Sequence, residues 1–212
     1  LKKYSNVVIY DVCGTLYNSN TTFDFCKWRC KGKLWSLTLS MCNLKLFKIV
    51  NKIAENLFNI HLSRRLHLLS LKGVNKKILY EEASSFVDYF LKDKSITPIY
   101  NMILKDISDG NKVLLISASI DPVISAIAKS LNVEYISSSL EYIDDICSGN
   151  IDKDLLGSKD KLNIININKV VTDNTSDYEL CKKSKYSVIV MNEKNKRFWS
   201  KNKIINGECF EL

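Results

Sequence analysis

A chain of 212 residues that is 46% apolar and 25% charged can bury one substantial core with a modest insertion, which excludes both an array of independent domains and a disordered polypeptide. Its 31 Lys and Arg against 23 Asp and Glu give a net charge of +8, and the longest apolar stretch, Leu34 to Phe47, is broken by polar residues and falls short of the roughly 20 residues a membrane span needs. Seven cysteines without the paired short spacings of a zinc site or a disulfide framework predict free thiols in a reducing, cytoplasmic setting.

The run Asn6 to Tyr10 is apolar and β-branched and stops at Asp11-Val-Cys-Gly-Thr15, the pattern of a buried strand delivering a polar loop. Residues 21–100 then lose strand character and carry long segments of helical apolar periodicity, Leu46 to Phe58 and Lys76 to Leu91 among them. They are predicted to form a helical cap on a core built from residues 1–20 and 101–212. Within the cap, Lys27 to Lys77 holds twelve Lys or Arg and one acidic residue, Glu55, a balance of +11 that exceeds that of the whole chain and leaves the remainder slightly acidic. Such a basic, apolar insertion can steer anionic substrates, lie on an anionic membrane surface or meet an acidic partner, and its plainest reading is a solvated basic face. Nucleic acid is disfavoured, because no recognition motif accompanies the charge. Cys26 and Cys30, one helical turn apart, read as buried thiols rather than metal ligands. Trp28, Trp35, His61 and His67 are candidates for the inner surface of the cap, with packing or exposed positions the plainer expectation.

Lys112 to Ile116 is the second strand-like run and ends at Ser117-Ala-Ser119. Asp121 and Pro122 then open a helix with the stripe Val123, Ile127 and Leu131. Asn168 to Val171 ends at Thr172-Asp-Asn-Thr-Ser-Asp177, and Tyr186 to Met191 is a fourth run. Strands alternating with helices predict an α/β fold, a parallel sheet covered on both faces, with ligands outside the carboxyl ends of the strands. The three polar loops fall there.

A carboxylate on a tight strand-to-loop corner suits phosphoryl transfer through a covalent aspartyl phosphate: Asp11 supplies the nucleophile, and Gly14 and Thr15 supply backbone room for phosphate. At the second loop the hydroxyl of Ser117 and the backbone of Ala118 and Ser119 can hold phosphate oxygens beside a helix start. Asp173 and Asp177, four apart after the third strand, can turn two carboxylates toward one cation, and hard oxygen ligands favour Mg²⁺. Each string alone is an ordinary turn or helix cap; their recurrence at strand ends carries the reading.

Val7-Val-Ile-Tyr-Asp-Val-Cys-Gly-Thr-Leu16, Val113-Leu-Leu-Ile-Ser-Ala-Ser-Ile-Asp-Pro122 and Val171-Thr-Asp-Asn-Thr-Ser-Asp-Tyr-Glu-Leu180 resemble, in that order, the first, second and fourth motifs of the haloacid dehalogenase superfamily, in particular its phosphoserine-phosphatase-like branch of subfamily IB type. The resemblance covers nearly the whole chain. It implies a Rossmann-like core, a C1-type α-helical cap inserted between the first two motifs, and Mg²⁺-dependent hydrolysis of a small phosphorylated substrate through an aspartyl phosphate on Asp11. It further implies Mg²⁺ held by Asp11, the backbone carbonyl of Cys13, Asp173 and Asp177. The third motif, a lysine, must come from Gly157-Ser-Lys-Asp-Lys-Leu162, where Lys161 is preferred and Lys159 is the alternative.

One departure bears on activity. The family's phosphatases carry a second Asp two residues after the nucleophile, as general acid and base, and this chain has Cys13. A thiol, with an ordinary pKa of about 8.5, is the poorer proton donor, and losing a positioned acid/base commonly costs about 10²- to 10⁴-fold. Branches lacking that Asp include the haloacid dehalogenases and the phosphonoacetaldehyde hydrolases. Those chemistries, or a binding or regulatory protein of weak turnover, are the alternatives; Asp173 at the metal position ranks phosphomonoester hydrolysis first.

Overall fold

The computed structural model describes residues 4–32, 34–58, 60–202, 204 and 206–211. In chain order its elements are β1 (Tyr4–Tyr10), α1 (Thr21–Cys30), α2 (Trp35–Met41), α3 (Lys45–Phe58), α4 (Leu62–Leu69), α5 (Lys76–Phe86), α6 (Thr97–Ser108), β2 (Lys112–Ile120), α7 (Asp121–Leu131), β3 (Glu134–Ile143), β4 (Ile146–Lys153), β5 (Ile164–Thr172), α8 (Tyr178–Lys182), β6 (Ser184–Met191), α9 (Lys196–Lys201) and β7 (Gly207–Glu211). A π-helical turn, Val87–Leu91, and a 3₁₀ turn, Lys92–Lys94, join α5 to the loop before α6.

The strands form one seven-stranded sheet in the order β4-β3-β2-β1-β5-β6-β7. Every pairing is parallel except β3 with β4, which closes one edge as an antiparallel hairpin. β1 takes the centre because its residues are apolar on both faces: Val8 and Tyr10 enter one core with Val113 and Leu115 of β2, while Val7 and Ile9 enter the other with Leu114 and Ile116. The first core continues through α5, α6, α7 and the aromatic residues Phe25 and Phe86; the second is closed by Leu180 and Trp199. From β1 the chain moves outward through β2 and β3, then returns to lay β5 on the other side of β1. The loops after β1 and β5 therefore diverge, opening the crevice in which open α/β sheets bind ligands.

The helical insertion occupies the connection from β1 to β2. Asn20 starts α1 by accepting from the Phe23 amide, and Asn75 starts α5 by accepting from that of Lys77. The division at residue 100 falls inside α6, a single helix with Pro98 in its first turn and Ile99 and Ile103 buried against the core. Cys26 and Cys30 are buried on one face of α1, and all seven thiols are free. Among the described residues no helix is long and apolar enough to cross a membrane.

Phe86 ties the helices of the insertion together. It is fully buried, with ring centroids 5.5 Å from Phe25, 5.8 Å from Trp28 and 5.0 Å from Phe90. Phe86→Ala is expected to lower stability by about 3–5 kcal/mol, read as a shifted midpoint in urea unfolding.

Candidate active site

Asp11 leaves the carboxyl end of β1 with its amide donating to the Val171 carbonyl at 2.9 Å, which fixes it against β5. Its Oδ1 accepts from the Val12 amide at 2.7 Å, and its Oδ2 meets Lys159 Nζ at 2.8 Å. The same ammonium lies 2.9 Å from Asp177 Oδ2, which also accepts from the Thr172 hydroxyl at 2.8 Å. All three ionisable side chains are buried. Asp11 is thus held within the wall of a cavity rather than on the surface.

The lysine beside Asp11 is Lys159 and not Lys161, the preferred choice from sequence. Both belong to a 3₁₀ turn, Lys159–Lys161. With about three residues per turn, positions two apart point to different sides, so one lysine turns inward and the other to solvent. Lys161 is exposed.

Gly14 and Thr15, expected to meet phosphate, instead organise Asp173, and neither lines the cavity. Thr15 is fully buried; its hydroxyl donates to Asp173 Oδ1 at 2.9 Å and accepts from the Asp173 amide at 2.9 Å. Gly14 has φ +74° and a Cβ there would strike the Asp173 carboxylate, so glycine is required twice over. The Asp173 carbonyl is held by Asn195 Nδ2 at 2.7 Å and Trp199 Nε1 at 3.3 Å. No motif pointed to that brace: it comes from the helix after β6.

Ser117 is buried in the cavity wall, its hydroxyl accepting from the Ser119 amide at 3.2 Å. Ala118 and Ser119 also line the cavity, but the Ala118 carbonyl is taken by Arg64 Nη2 at 3.0 Å and by the Ser138 hydroxyl at 3.0 Å. The Ser119 hydroxyl lies 2.5 Å from that of Thr21 and 2.9 Å from that of Thr22. Cys13 Sγ joins this cluster, 3.2 Å from Thr21 Oγ1 and 3.4 Å from Ser119 Oγ, with the Thr21 amide donating to it at 3.4 Å. Burial first, and the Asp11 charge second, push the Cys13 thiol above its ordinary range. It is a neutral hydrogen-bonding group, not a thiolate.

Burial, reinforced by Asp177 and Asp173, pushes Asp11 up to about 7 although Lys159 pulls the other way. Burial likewise raises Asp173, more than the Thr15 hydrogen bond and Lys159 lower it. Burial disfavours the charge on Lys159, yet Asp11 and Asp177 outweigh it and hold the ammonium protonated. Around Lys159, three carboxylates therefore share one buried ammonium, which bonds Asp11 and Asp177.

The expected metal set is brought together only in part. Among the described residues no three His, Cys, Asp or Glu side chains form a metal-holding group. Asp177 gives Oδ2 to Lys159 and Thr172, and the Cys13 thiol is turned into the hydroxyl cluster. What remains is Asp11, Asp173 and the backbone carbonyl of Cys13, all oxygen donors in a region with excess negative charge. That fits Mg²⁺, which usually takes one or two carboxylates and fills its sphere with water and substrate oxygens.

The cavity measures about 750 Å³. Asp11, Cys13, Ser117, Lys159 and Asp173 form one side, and the insertion supplies Lys27, Lys48, Asn51, Arg64, His61 and His67 opposite. His61 and His67 thus line the site, while Trp28 packs on Phe25 and Phe86. His67 stacks on Phe23 at 4.2 Å, gives Nδ1 to the Ser63 carbonyl at 2.7 Å, and has no partner for Nε2 among the described residues; burial lowers its pKa. Lys159→Met would leave buried carboxylates without their cation and is expected to cost about 3–5 kcal/mol. Lys161→Met should stay within about 0.5 kcal/mol of wild type in the same urea titration.

The family model for haloacid dehalogenase-like hydrolase matches residues 8–180. No curated protein matches the chain. Among solved structures, a phospho-aspartyl intermediate analogue of phosphoserine phosphatase superposes with a TM-score of 0.61 at 16% identity, over 99% of this chain and 94% of the other. A phosphoserine phosphohydrolase-like protein from Francisella tularensis subsp. tularensis SCHU S4 gives 0.60 at 16% identity, over 96% and 94%. A protein of unknown function from Bordetella pertussis Tohama I gives 0.67 at 12% identity, over 97% and 98%. These likenesses concern the fold, including the cap. The chain, matched over most of its length and with its three polar loops at the ends of the neighbouring strands β2, β1 and β5, belongs to the haloacid dehalogenase-like hydrolases.

Proposed function

We propose that the protein is a Mg²⁺-dependent hydrolase of small anionic phosphomonoesters with Asp11 as its nucleophile. The observation that carries this reading is the 2.8 Å contact between Asp11 and Lys159 in the wall of the cavity, at the end of the central strand. Lys159 favours the ionised form of Asp11 and faces the oxygens of a phosphoryl group presented to it. A carboxylate oxygen of Asp11 attacks phosphorus, the bond to the alcohol oxygen breaks, and the alcohol departs with a proton taken from water. A second water then attacks phosphorus, releasing inorganic phosphate and restoring Asp11. Asp177 and Thr172 act as positioning residues by fixing Lys159. The Ser117 hydroxyl is the phosphate contact on the opposite loop. Asp11, Asp173 and the Cys13 carbonyl would hold Mg²⁺, which when bound offsets the negative charge of the phosphoryl oxygens. Lys27 and Lys48 bias the cavity toward anions.

Proton transfer is the slow part of this scheme, because the group two residues after the nucleophile is a neutral thiol. Phosphate release from a panel of phosphomonoesters should require Mg²⁺ and fall to background in Asp11→Asn. Cys13→Asp should raise the rate by about 10²-fold or more, since Thr21 and Ser119 stand ready to orient a carboxyl group there. Absence of release from both wild type and Cys13→Asp would reject hydrolysis in favour of a binding or dehalogenase-like role.

A further inference from the structure

α3 is amphipathic and lies with its apolar face outward. Leu46, Ile49, Val50, Ile53 and Leu57, spaced i, i+3, i+4, i+7 and i+11, form one stripe, yet each is between 46% (Val50) and 74% (Leu46) exposed. The half-buried seam of the helix is instead Phe47, Asn51 and Ala54, and no residue of α3 is fully buried. In a globular protein the apolar stripe of a surface helix packs on the core, so this orientation needs an external partner. α2 and its flanks likewise present Leu34, Leu37, Met41 and Leu44, all more than half exposed.

We propose that this outer face of α2 and α3 docks on an anionic lipid bilayer. Charge selects the occupant. Lys45 and Lys52 are exposed beside the stripe, in the segment that holds twelve basic residues against Glu55. A second copy of the chain would bring two such segments face to face and repel. A bilayer requires no complementary groove: it accepts the aliphatic stripe among its acyl chains while the lysines reach anionic headgroups. Phe47, Lys48 and Asn51, on the other side of the same helix, line the cavity, so docking sets the cavity beside the lipid surface.

The test is co-sedimentation of the full chain with phosphatidylcholine vesicles prepared with and without phosphatidylglycerol. It reads binding alone, independently of any hydrolysis. The chain is expected to sediment with the anionic vesicles, weakly in high salt. Ile49→Glu/Ile53→Glu and Lys45→Gln/Lys52→Gln should each weaken binding by about tenfold or more. Both alter exposed positions, so their thermal unfolding should match wild type. No sedimentation of the wild type, equal binding to neutral vesicles, or retention by the Glu variant would each overturn the proposal. Self-association abolished by Ile49→Glu/Ile53→Glu, without vesicle binding, would assign the face to a second copy.

Discussion

Lys159 makes the centre of this molecule electrostatically tolerable. The parallel strands deliver Asp11, Asp173 and Asp177 to one small region, and a buried carboxylate without compensation is costly. One ammonium within 3 Å of both Asp11 and Asp177 allows them to share a cavity wall, and the Thr172 hydroxyl fixes the second of them. Asp173 stands outside that ion-paired group, held by Thr15 over the bare backbone of Gly14. Burial raises its pKa and that of Asp11.

The hydroxyl cluster around Cys13 joins core and cap. Thr21 and Thr22 begin α1, Ser119 ends the second polar loop, and Cys13 lies between them, so the first turn of the insertion is bonded directly to two core loops. This cluster could orient a carboxyl group at position 13, and with cysteine it retains the hydrogen bonds and loses a usable proton. Arg64 makes a second tie, from α4 to Asp154 at 2.6 Å and to the Ala118 carbonyl. The cavity wall contributed by the insertion is thus fixed to the polar loops of the core at two places.

Charge is divided along the same boundary. The insertion brings Lys27, Lys48 and Arg64 to the cavity, and the core brings Asp11 and Asp173. The outer face of the insertion keeps its apolar side chains in water, at a free-energy cost of roughly 25 cal/mol per Å² that a partner surface would remove.

Much of the fold and part of the site were legible in the sequence. Val7 to Tyr10, Lys112 to Ile116, Asn168 to Val171 and Tyr186 to Met191 end in unbroken apolar stretches because those strand ends are covered on both faces, and that burial is written in residue type. β3, β4 and β7 escaped notice because strands near or at a sheet edge carry Ser, Glu, Asp and Lys and lack an apolar run. Asp11, Ser117 and Asp173 could be found because each follows such a run directly, where chain connectivity alone fixes its place. Lys159 could not be separated from Lys161, since only the turn of a three-residue helix against Asp11 and Asp177 decides which one points inward. The tertiary structure likewise assigned Gly14 and Thr15 to Asp173, gave Asp177 to the lysine, and turned the apolar face of α3 outward. These depend on which surfaces meet across long separations in the chain, and local pattern carries no record of that.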